Sequence, residues 1–113
     1  MWICTNYGFF SAVLIDETRQ GKHDENVYED YAIRARTKAH LEQAFPSKQI
    51  FNYKFSDYDY RVYCTKEELL GFVFTEVNRI TYTNFKNSVK NLKLKAFFGD
   101  IWWLGVNQLN DNM

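Results

Sequence analysis

Proline occurs once, cysteine twice and glycine five times in the 113 residues, and the formal net charge is zero. Each scarcity closes off a class of protein. Cys4 and Cys64 lie far apart inside apolar, strand-like runs, so they read as buried thiols and not as a disulfide framework or a metal set. Zero net charge argues against general electrostatic capture of nucleic acid. No apolar run approaches the roughly 18 residues that a membrane span needs. The uncharged start also lacks the basic segment of a signal peptide. A cytoplasmic location, with no membrane contact, follows by elimination. There is no phosphate-cradling glycine loop and no paired-carboxylate motif. His23 and His40 have no nucleophile or metal-ligand partner at a recognisable spacing. No catalytic residue, metal or cofactor is therefore assigned, although residues distant in sequence can still assemble an active site.

Aromatic side chains are what the chain has in abundance: ten Phe, eight Tyr and three Trp. Each ring can bury roughly 150–250 Å². Either the core is built from rings in place of Leu and Val, or some rings sit at the surface in an interface or ligand groove. Charge is distributed unevenly. Residues 1–15 carry none, whereas Asp16 to Asp30 holds six acids against two bases. From Thr81 onward there are four lysines and two acids. The acidic stretch is either a solvated loop or a dock for a basic partner.

Trp2–Ile15 reads as one central strand, apolar on both faces, with Gly8 marking a bulge or a close backbone approach. Asp16–Glu25 reads as a loop. Asn26–Arg36 alternates, with Val27, Tyr31, Ile33 and Ala35 on one side and Tyr28, Asp30, Arg34 and Arg36 on the other. The two strands pair as an antiparallel hairpin. Thr37–Phe45 is a short helix stopped by Pro46. Ile50–Phe55 and Tyr58–Cys64 form a second hairpin around Ser56-Asp57. In its second strand Tyr58, Tyr60, Val62 and Cys64 share one face, and Asp59, Arg61 and Tyr63 the other.

Thr65-Lys66-Glu67-Glu68 is a capping box. It opens a helix to about Arg79 with Leu69, Val73, Val77 and Ile80 as its inward stripe; Phe72 and Phe74 fall off the stripe's centre. Asn84 caps a further short helix carrying Phe85 and Val89. A last helix, about Leu92–Val106, places Leu94, Phe97, Phe98, Ile101 and Leu104 on one face. The order contains no βαβ alternation. The expected fold is α+β in one domain, residues 1–113. It has a four-stranded, mostly antiparallel sheet, helices packed on one face, a helical C-terminal part and a frayed tail over residues 107–113.

Three groups of residues stand out as candidate contacts. Arg34 and Arg36 are two apart on one strand, and Arg61 and Tyr63 two apart on another. On an open sheet face these four can grip phosphate or carboxylate and stack on a base, or they can pair with Asp30 and Asp59 on a solvated face. Asn84 and Lys86, with Tyr82, Asp57 and Tyr58 nearby, mark a helix start. Either an anion binds there, or Asn84 merely caps and Lys86 is solvated. Trp102 and Trp103 point about 100° apart on their helix, so both rings do not enter one core stripe. One of them is a candidate interface anchor.

The segments Met1-Trp2, Gly8-Phe9-Phe10-Ser11, Arg34-Ala35-Arg36, Asp57–Arg61 and Ile80–Val89 carry a resemblance. The chain resembles a family of small, uncharacterised bacterial and phage proteins that begin Met-Trp, contain a Gly-Phe-Phe-Ser strand and start a helix with Asn-Phe-Lys. That resemblance implies a compact α+β domain of bacterial or phage origin and implies no catalytic residue. The relatives tend to carry Pro where this chain has Thr65. They also tend to end on a Trp-containing helix, to which Phe97–Leu104 is similar.

Two function classes follow. The first is a non-catalytic protein-interaction module, either a homodimer or a small bacterial or phage-encoded inhibitor or regulator of a larger complex. The second is a nucleotide- or RNA-binding sheet platform using Arg34, Arg36, Arg61 and Tyr63.

Overall fold

A computed structural model describes residues 1–15 and 29–111. The loop expected at Asp16–Glu25, most of the acidic run, His23, and Val27 and Tyr28 lie outside the described residues.

Five strands form the sheet: β1 (Trp2–Thr5), β2 (Gly8–Leu14), β3 (Tyr31–Ala35), β4 (Phe51–Asn52) and β5 (Tyr60–Cys64). Their order is β1-β2-β3-β5-β4, and every neighbouring pair is antiparallel. The α+β class and the antiparallel sheet match expectation; the fifth strand does not. The run read as one strand over Trp2–Ile15 folds back on itself at Asn6-Tyr7, pairing Thr5 with Gly8. Neither Asn6 nor Tyr7 has a positive φ, so the turn is not of the glycine-seeking primed types. The buried Thr5 side chain holds it instead. Its hydroxyl donates to the Gly8 carbonyl at 3.3 Å and accepts the Tyr7 N–H at 3.4 Å. Gly8 is required by close approach: a Cβ there would stand 2.6 Å from the Phe10 ring and 3.1 Å from His40 Cβ.

Alternation along the strands builds two cores. Phe10 and Ala12 of β2, Ile33 and Ala35 of β3, and Val62 and Cys64 of β5 make one face. It is closed by Leu41 of α1 (Lys38–Ala44), by Phe45 just beyond it, and by Phe72 of α2 (Lys66–Asn78). The opposite face carries Phe9, which packs with Tyr58, Val89, Leu94 and Phe98. These residues come from the loop before β5 and from the region of α3 (Phe85–Ser88) and α4 (Leu92–Gln108). Helices therefore cover both faces, where one was expected. Adjacent Phe9 and Phe10 point to opposite sides of β2, and each needs a cover.

The capping box at Thr65 is present. Glu68 N–H donates to Thr65 Oγ1 at 3.2 Å, and Thr65 N–H donates to Glu68 Oε1 at 3.0 Å. Glu68 also pairs with Lys48, which pairs with Glu29. The inward stripe of α2 is the expected one only at Leu69 and Val73. Phe72 is buried with Leu69 and Val73 beside it, while Val77 is 59 % exposed and Ile80 is exposed as well. Tyr58 also lies on the face opposite to the one expected, because it precedes β5 and does not follow its alternation.

Candidate interaction surface

The four residues expected on an open sheet face are brought together, but the face is not open. Ser11, Arg34 and Arg61 form one row across β2, β3 and β5. The segment Tyr53–Tyr58 lies over that row. Arg34 donates to Ser11 Oγ at 2.8 Å, and its guanidinium carbon stands 4.7 Å from the centre of the Tyr58 ring. Arg36 stands 4.7 Å from the same ring and donates through Nε to the Asp57 carbonyl at 3.1 Å. Arg61 lies 4.5 Å from the centre of the Tyr53 ring and donates to the Tyr58 carbonyl. Tyr63 shares a 2.8 Å hydroxyl contact with Tyr53. Arg61 and Tyr63 are each only 4 % exposed. A ring buried to that degree offers no face to a base. The arginines hold the tyrosine segment onto the sheet through cation–π contacts and carbonyl hydrogen bonds. Burial, and then Arg61 beside it, lower the Arg34 pKa.

Asn84 and Lys86 are also committed locally. Asn84 Oδ1 accepts from Asn87 N–H at 3.0 Å and caps α3, which is only four residues long. Lys86 Nζ stands 4.1 Å from the centre of the Trp102 ring. The Asp57 carbonyl accepts from Arg36 Nε.

The tryptophans behave as their helical spacing predicts. Asn91 caps α4 by accepting Leu94 N–H at 3.1 Å. Only Leu94 and Phe98 of this helix are buried. Beyond Phe98, Ile101, Trp102, Trp103, Leu104, Val106 and Leu109 are all exposed, Trp102 at 53 % and Trp103 at 61 %. Trp102 flanks the Leu94–Phe98 face and is partly covered by Lys86; Trp103 points away from that face. Leu104, expected in the core stripe, is exposed. From Ile101 to Asn110 the helix and its end carry no charged side chain.

Two further parts of this surface escaped sequence reasoning. β1 is an edge strand, and Cys4 on it is exposed, contrary to the reading of a buried thiol; Cys64 is buried, and burial pushes its pKa up to about 11. Cys4 sits between two shallow concavities. One is bordered by Val77, Ile80 and Tyr82, the other by Phe98, Ile101 and Trp102. The open edge is thus flanked by apolar groups from α2 on one side and α4 on the other. The second part is the outer stripe Leu70, Phe74 and Val77 of α2, spaced by four and three and exposed throughout. The off-centre position of Phe74 was its signal.

Among the described residues no cluster of His, Cys, Asp and Glu is arranged to hold a metal, and no helix is long and apolar enough to cross a membrane. No family model matches the chain, and no curated protein or solved structure matches it. The class defined by fold and surface is an aromatic-rich, antiparallel α+β domain with one apolar helix end left uncovered.

Proposed function

We propose that the protein is a non-catalytic interaction module whose contact is the uncovered end of α4, and that the occupant of this surface is a second copy of the chain. The exposed run Ile101–Leu109 carries this reading. Trp102 and Trp103 point about 100° apart on the helix, so a partner covers one side of it, where Trp103, 61 % exposed, stands with Val106. The run has no charge with which to select a charged partner. An isologous pairing needs only a patch that complements itself, and apolar helix ends meeting across a two-fold axis supply one. The uncharged edge strand β1 lies beside the same patch and lacks the lysine or proline that usually blunts an edge.

The resemblance to small bacterial and phage proteins adds a setting: a bacterial cytoplasm, where the free thiols Cys4 and Cys64 stay reduced. In that setting the module would act as a regulator or inhibitor of a larger complex. Sedimentation equilibrium across a concentration series tests the self-pairing. A mass rising from one chain to two supports it, and a single-chain mass at every concentration refutes it.

A further inference from the structure

Two adjoining concavities of about 340 Å³ and 440 Å³ open beside His40, and they share Thr37, His40 and Asn91. Basic groups reach them from three separate parts of the chain: Arg36 after β3, Arg79 after α2, and Lys90 and Lys93 at the start of α4. No carboxylate lines either one, in a chain with as many acids as bases. Arg79 is shared with Glu76 at 3.6 Å; Arg36 is held by the Tyr58 ring and a carbonyl, neither of which neutralises it.

The floor of the smaller concavity is apolar, made by Phe9, Leu94 and Phe97. Its polar groups are placed to donate. His40 Nδ1 accepts the Phe9 N–H at 3.3 Å, which leaves the proton of the neutral ring on Nε2. Thr37 stands at the N-cap of α1, yet its side chain makes no capping bond. Asn91 spends its Oδ1 on α4 and keeps its amide N–H groups.

From these placements we infer that the paired concavities form a binding site for a small phosphate ester carrying an aromatic base, that is, a mononucleotide. The base lies against Phe97, 36 % exposed, because Phe9 and Leu94 beneath it are each only 6 % exposed. The phosphate lies toward Lys90 and Lys93, within reach of Arg36. Pockets of a few hundred Å³ with an apolar floor and a few convergent polar groups suit ligands of this size. A cationic rim without acids selects an anion over a neutral nucleoside.

The test is isothermal titration calorimetry of the full chain with AMP, GMP, CMP and UMP. Adenosine, inorganic phosphate and a single-stranded oligonucleotide serve as comparison probes. At least one mononucleotide should bind, and it should bind better than adenosine or phosphate alone. The double variant Lys90→Gln/Lys93→Gln should bind at least about tenfold more weakly, the scale of losing one charge-assisted hydrogen bond. Both lysines are exposed, so the variant's melting temperature should stay at that of the parent. Three results would overturn the assignment: no heat from any mononucleotide up to about 5 mM, unchanged affinity in the double variant, or binding by the oligonucleotide alone.

Discussion

Arg34 and Arg61 are direct cross-strand partners on β3 and β5, two guanidinium groups side by side beneath a tyrosine-rich segment. Like charges so placed repel, and here they are tolerated because Ser11, the Tyr58 carbonyl and the rings of Tyr53 and Tyr58 receive them. Tyr58, 7 % exposed, is the member common to Arg34, Arg36 and Arg61. Tyr58→Ala should cost about 3–5 kcal/mol, the range for emptying a buried aromatic site. Denaturant midpoints read the loss directly. A cost under about 1 kcal/mol would mean the segment closes the sheet without its ring.

The placement of α2 gives a contrast between two residues on one helix. Phe72→Ala should cost about 3–5 kcal/mol, because its ring meets Phe10 at 5.3 Å and Phe45 at 5.0 Å. Val77→Ala should stay within about 0.5 kcal/mol. Equal losses would restore Val77 to the core stripe that periodicity alone assigned to it.

Gly8 offers a test of the first hairpin. Gly8→Ala forces a methyl group against the Phe10 ring and His40, and overpacking of this kind costs about 1–3 kcal/mol. A melting temperature at or above that of the parent would show that the ring yields without penalty.

His40 predicts a pH dependence of known sign. Burial lowers its pKa below the ordinary 6.5. The unfolded chain therefore takes up the proton first as pH falls, and stability contributed by the neutral ring is lost on that descent. It is fully present above pH 6.5 and declines below it through the lowered folded-state value. Protonation would also remove the Nδ1 lone pair that accepts Phe9 N–H. Unfolding free energy measured from pH 7 downward should fall less steeply in His40→Asn than in the parent. Parallel curves would remove His40 from the account.

What the sequence carried, and what it did not, follows from the range of each signal. The capping box at Thr65, the Asn84 cap and the Pro46 stop are local, and the structure shows all of them. The turn at Asn6-Tyr7 was hidden because Thr5 stabilises it through a buried hydroxyl, leaving no Asn-Gly or Asp-Gly signature. The Val77 and Leu104 assignments failed for a different reason. Periodicity tells which residues share a helix face, and it does not tell how far along the helix that face is covered. Alternation placed Arg34, Arg36 and Arg61 on one side, but nothing in the pattern announced that Tyr53 and Tyr58 would fold over them. The concavity beside His40 draws on residues from four parts of the chain, and no spacing rule joins them.

The central claim is that the uncovered end of α4 is a contact surface and not part of the core, and Trp103→Ala tests it most directly. Self-association is measured by sedimentation equilibrium, and unfolding at a dilution where parent and variant are both single chains. Dimerisation should weaken by about 2 kcal/mol or more, the scale of an interface hot spot, with an unchanged unfolding midpoint. Undiminished association together with about 3–5 kcal/mol of lost stability, as for a buried tryptophan, would contradict it.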